Sequence, residues 1–119
     1  MSEFVAYLKE VFEQFGSIQA RRMFGGYGIY HDGIMFGLVA DDTLYLKADE
    51  VTVEHFVSRS LEQFEYGKGN KVVKMSYYLA PDEIFDDPEQ ATVWARRALE
   101  AASRAKPTVR KKRKSSSSK

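Results

Sequence analysis

Arg21-Arg22-Met23-Phe24-Gly25-Gly26-Tyr27-Gly28-Ile29-Tyr30 is the stretch on which the fold turns. Aromatic and β-branched residues interleaved with glycine read as extended chain rather than helix. Just beyond it, His31 leads into Asp32-Gly33, a strong short-range hairpin signal, because glycine supplies the positive φ of a tight turn. Upstream, Ile18, Ala20 and Arg22 alternate with Gln19, Arg21 and Met23, which is the two-residue period of a strand. Arg21 and Arg22 therefore fall on opposite sheet faces. One is expected to face solvent or a partner, and the other to need a carboxylate or a backbone carbonyl on the covered face.

Outward from this stretch the strand pattern continues. Ile34 to Ala40 is apolar almost throughout, which suits a central strand covered on both faces. Asp41-Asp42 is the next turn. Leu44 and Leu46 then alternate with Thr43, Tyr45 and Lys47 as a half-buried strand. These connections are too short for parallel crossovers, so the pairing is antiparallel. Further on, Gly67-Lys68-Gly69-Asn70 turns between a short segment at Gln63–Tyr66 and a strand at Lys71–Leu79. In that strand Val73, Met75, Tyr77 and Leu79 share one face, and Pro81 ends it.

Helices flank the strands. Ser2 is a good N-cap, and Phe4, Leu8, Val11, Phe12 and Phe15 recur at helical spacing, so a helix is expected over 3–15, with Gly16 as its stop. Asp49 can cap a second, short helix, with Val53, Phe56, Val57 and Leu61 on its buried side. The last helix has the clearest start. Asp87 caps it, Pro88 takes the first helical position, and Gln90 can complete a capping box. Ala91, Trp94, Ala95, Ala98 and Ala102 form its stripe, running to Ser103 or Ala105. The fold class is therefore α+β: a mostly antiparallel sheet of about five strands, with N-terminal and C-terminal helices packed on it.

At 119 residues with 44% hydrophobic content the chain suits one domain with a core of its own. Its net charge of +1 averages two unlike parts. Residues 1–105 hold eleven Lys and Arg against all seventeen Asp and Glu, a net −6, and residues 106–119 hold seven Lys and Arg and no acid. The expected organisation is a folded domain over 1–105 and a disordered basic tail over 106–119, where Val109 is the sole hydrophobic residue. Within the tail Arg110, Lys111, Lys112, Arg113 and Lys114 are candidates for weak, sequence-independent attraction to nucleic acid, whereas the acidic body is poorly suited to a duplex. Cysteine is absent, which excludes a disulfide framework and a thiolate nucleophile and suits a cytoplasmic location. The N-terminus shows neither the basic nor the apolar region of a signal peptide. No uncharged run approaches the roughly 18 residues that span a bilayer.

Direct signs of a reaction are lacking. Gly25-Gly26-Tyr27-Gly28 leads into a hairpin, not a helix, so a bend or bulge is favoured over a phosphate loop. His31 and His55 occur singly, and His31 reads as a turn histidine rather than a metal ligand. Asp41-Asp42 and Asp86-Asp87 fit turns and caps. Tyr27, Tyr30, Tyr45 and Tyr78 are candidates to project outward, an arrangement that with basic neighbours would suit single-stranded nucleic acid; ordinary strand tyrosines are the favoured alternative. No catalytic residue, metal site or cofactor is assigned.

Five separate motifs in order resemble the TfoX/Sxy N-terminal domain family: the stretch at 21–30, Leu-Tyr-Leu-Lys-Ala-Asp at 44–49, Met-Ser-Tyr-Tyr at 75–78, Pro-Asp-Glu-Ile at 81–84 and Trp-Ala-Arg-Arg-Ala-Leu at 94–99. The resemblance covers roughly 3–103. It implies an α+β fold similar in outline to secretion chaperones. It also implies a non-enzymatic accessory in transcription or DNA-linked regulation that works through a protein partner. The name-giving members regulate natural transformation, assist the cyclic-AMP receptor protein at competence promoters, and carry a second, helical domain where this sequence has only its basic tail. Arg21, Arg22, Gly25, Gly26, Tyr27 and Gly28 match the family motif and are the candidate partner-binding residues. In the alternative function they serve a small-ligand or anion-binding module.

Overall fold

The computed structural model describes residues 2–23 and 25–105; the expectations for the tail lie outside the described residues. The elements are α1 (Glu3–Val11), β1 (Gln19–Met23), β2 (Gly26–His31), β3 (Ile34–Ala40), β4 (Thr43–Lys47), α2 (Val53–Val57), β5 (Gln63–Lys68), β6 (Lys71–Leu79), a 3-10 turn at Asp82–Phe85 and α3 (Pro88–Ala105). The strands form one antiparallel sheet in the order β1-β2-β3-β4-β6-β5. The fold is thus α+β as expected. The short segment at Gln63–Tyr66 is itself a full strand, which makes six strands rather than about five.

The first four strands are a meander built on tight turns. Asp32 and Gly33 have φ of 51° and 79°. Both central residues of the β3–β4 turn, Asp41 and Asp42, are also left-handed, at 55° and 54°, the mirror-image turn that matches strand twist. After β4 the chain crosses through α2 to the far edge, lays down β5, and returns as β6 between β5 and β4.

One irregularity sets which side chains face where. Ile29 pairs with Gly37 and Tyr30 with Met35, leaving Phe36 as an extra, bulged residue in β3. Phe36 and Gly37 both lie toward the helices. Phe36 is fully buried against Phe12 and Phe15, with ring centroids 5.8 and 5.4 Å away. A Cβ on Gly37 would lie 3.5 Å from Leu44 and 3.6 Å from Ile29, on the same side. Past the bulge Met35 and Tyr30 return to the other face.

The three described helices cover one face, and the core lies between. Val5, Leu8 and Phe12 of the first helical segment meet Phe36, Leu44 and Leu46 of the sheet, with Phe56, Ile84 and Trp94 completing the cluster. Each fully buried Leu or Phe here stabilises the fold by roughly 1.5–3 kcal/mol. The alanine stripe of α3, with Ala101 added, lets that helix lie close to β3 and β4.

Local caps follow the sequence closely, with four corrections. Ser2 accepts from the Val5 amide at 3.1 Å, but α1 ends at Val11 rather than Phe15. There the Glu13 amide bonds the Glu10 carbonyl and the Gly16 amide that of Phe12, so the last turn tightens. Val57 is exposed, because α2 is too short to bury two sides. Asp87 caps α3 through the Glu89 and Gln90 amides at 3.0 and 3.4 Å, but among the described residues Gln90 makes no reciprocal side-chain bond. Tyr27 and Tyr78 point inward onto the core, leaving Tyr30 and Tyr45 on the other face.

Candidate functional site

The face of the sheet opposite the described helices carries the candidate site, with Ala102 and Ala105 at the end of α3 reaching its Lys47–Tyr77 corner. Register assigns to it Arg21, Met23, Tyr30, Met35 and Leu38 from β1–β3. Tyr45, Lys47, Met75, Tyr77 and Leu79 join them from β4 and β6. All three described methionines are on this face, and its paired positions hold no Asp or Glu. The sheet curls, so that Phe64, Tyr66 and Val73 approach Met23, Leu38 and Ala40 across an apolar cleft of about 350 Å³.

Two cation–aromatic pairs mark one end of this face. The Arg21 guanidinium lies 5.0 Å over the Tyr30 ring. Lys47 Nζ sits 5.2 Å from the Tyr77 ring and donates to Ser76 Oγ at 2.5 Å. Burial pulls the Lys47 amine below its ordinary value, with Asp49 acting the other way. Burial, helped by Tyr30, pushes the Tyr77 phenol up to about 12. Two residues from Lys47 along β4, burial and then Glu62 and Asp41 raise the Tyr45 phenol.

The six residues of the 21–28 motif do not form one cluster. Arg21 is on the open face, while Arg22 pairs with Tyr27 toward the helix side yet remains exposed, because β1 is an edge strand. No carboxylate among the described residues forms an ion pair with either arginine. Neither the carboxylate nor the backbone carbonyl expected on the covered face is engaged among the described residues: Arg22 is exposed to water instead. Gly25 has φ 79° beside the β1–β2 turn. A Cβ on Gly26 would lie 2.0 Å from the Val39 carbonyl oxygen. One on Gly28 would meet the sulfurs of Met23 and Met35 at 2.8 and 3.1 Å. Gly26 is thus dictated by close approach to sheet backbone, Gly25 by its left-handed φ, and Gly28 makes room for the two methionine side chains.

The remaining polar clusters are structural. His31 Nδ1 lies 2.8 Å from the Ser17 carbonyl oxygen and its ring packs on Phe15, so it anchors the chain between α1 and β1. Arg59 forks onto Glu83 at 2.5 and 2.6 Å, and with Arg97 it flanks Trp94. Among the described residues no three His, Asp or Glu side chains converge as metal ligands. No described helix is long and apolar enough to cross a membrane.

Sequence reasoning did not single out Lys47 or Tyr77. Each stood in a correctly read alternating strand, but only the pairing of Lys47 with Tyr77 places them side by side.

The model of the TfoX N-terminal domain matches residues 10–102. The chain belongs to the TfoX N-terminal domain family. Among its relatives is Protein Sxy of Escherichia coli strain K12, 27% identical over 100 residues, which are 84% of this chain and 48% of that protein. Another is DNA transformation protein TfoX1 of Aliivibrio fischeri, 30% identical over 78 residues, 62% of this chain and 37% of that protein. This TfoX-type chain therefore spans about half or less of the length of the curated relatives it matches.

Proposed function

We propose that this chain is a non-enzymatic regulatory module of the TfoX type, acting in the cytoplasm in competence-like, DNA-linked control through contact with a protein partner. The observation that carries this reading is the family match over 10–102, together with a relative named for DNA transformation. The open face supports a contact role. Methionine and tyrosine side chains adapt to a partner's shape. Arg21 and Lys47, with no acid at the paired positions between them, favour an apolar partner surface that bears carboxylates. The basic block Arg110–Lys114 adds electrostatic attraction to nucleic acid. A second reading, anion binding through Arg21, draws on that guanidinium having no carboxylate partner among the described residues.

Affinity capture from the native host, with and without nuclease, tests the main reading. A protein should be retained in both conditions by the parent chain and lost with Met75→Glu, a half-buried open-face position. Retention that disappears with nuclease would move the interaction to nucleic acid and overturn the protein-contact reading.

A further inference from the structure

Tyr77 is 8% exposed, yet its hydroxyl makes no hydrogen bond to any described residue; the Lys47 ammonium lies 5.2 Å from its ring. A buried tyrosine whose phenol O–H has no acceptor in the protein calls for an explanation. Lys47 is its neighbour in the same position. One of its three donors is spent on Ser76, and no carboxylate among the described residues pairs with it. The nearby carboxylate, Asp49, is already bound to Arg104 Nε at 2.6 Å. Both groups open into a cavity of about 340 Å³, lined also by Tyr30, Met35, Ala102 and Ala105. That size lies within the range of small-molecule sites. Arg21, stacked on Tyr30, extends the positive field at this end.

We propose that this cavity binds a small organic anion, a carboxylate or phosphate group on an apolar body. Its oxygens accept from Lys47 Nζ and Tyr77 Oη. Its body lies against Met35, Ala102 and Ala105. The orientation follows from charge: the head belongs beside the ammonium, away from the carbonyl end of α3, where a negative group is disfavoured. Such a ligand supplies the acceptor that the Tyr77 hydroxyl lacks and a counter-charge for Lys47. The assignment is independent of the protein-contact role.

Titration of the full chain followed by backbone amide NMR tests it. The probes are benzoate and phenyl phosphate, with acetate and inorganic phosphate as controls that lack the apolar body. At least one aromatic anion should give saturable shifts at Tyr30, Lys47, Tyr77 and Ala102, and bind more tightly than its bodiless counterpart. A preference for benzoate assigns the carboxylate class, and the reverse the phosphate class. Lys47→Gln and Tyr77→Phe should each weaken binding roughly tenfold or more, the loss expected for a hydrogen bond to a charged group. Tyr77→Phe keeps the ring and removes only the unpartnered hydroxyl, so its melting temperature should hold or rise. The proposal fails if neither aromatic anion gives saturable shifts, if the shifts fall away from this cavity, or if Tyr77→Phe binds as well as the parent chain.

Discussion

At the scale of single residues, the glycines separate by what a side chain would strike. Gly26 is packed against backbone: its Cβ would fall 2.0 Å from the Val39 carbonyl oxygen, an atom held by the sheet. Gly26→Ala must push β2 from β3 and should cost about 3 kcal/mol or more. Gly67 in β5 has nothing within 4 Å of its Cβ position and no left-handed φ. Gly67→Ala should be neutral or stabilise by about 0.5 kcal/mol, since alanine loses less backbone entropy on folding. Urea midpoints of the two variants check both signs at once, and a mild Gly26→Ala would disprove the close approach.

At the scale of elements, the end of α3 is tied to the start of α2. Asp49 accepts from the Val51 and Thr52 amides at 3.0 and 3.1 Å, and from Arg104 Nε at 2.6 Å. The Arg104 guanidinium, against the opposing effect of burial and with help from the two amides, holds the Asp49 carboxyl at about 2 rather than the ordinary 3.8. A depressed carboxyl contributes stability that is present above about pH 4 and is lost as pH falls through 2. Arg104 is largely exposed, so solvent screens the pair and the contribution is small. Arg104→Gln should move the Asp49 carboxyl toward 3.8 in a carbon NMR titration. The same variant should be less stable than the parent at pH 7, with the gap closing near pH 2. An unchanged titration would remove Arg104 as the main cause.

At the scale of the whole molecule, charge divides the chain. Residues 1–105 carry a net −6 and residues 106–119 a net +7. An acidic body repels phosphate, so the proposed attraction to nucleic acid rests on the basic block. Deleting 106–119 should sharply reduce salt-sensitive retention on a DNA column and leave the melting temperature nearly unchanged. Equal retention after deletion would take the basic block out of the account, and a large fall in melting temperature would show that it packs on the body.

What the sequence alone determined is what is encoded locally. Ser2 and Asp87 caps, the Asp32-Gly33 turn, the alanine stripe of α3 and the two-residue alternation of the strands depend on neighbours a few positions apart. Spacing and intrinsic geometry therefore suffice to read them, and the motif order carried the family. Tertiary pairing decided the rest. The bulge at Phe36 sets which face each β3 side chain takes, and the chain's return as β6 sets Lys47 beside Tyr77. A shift of one residue in either pairing would exchange the buried and open faces. Registers between distant strands are fixed by how the core fills, not by local preference, and the Lys47–Tyr77 cavity exists only once that register is chosen.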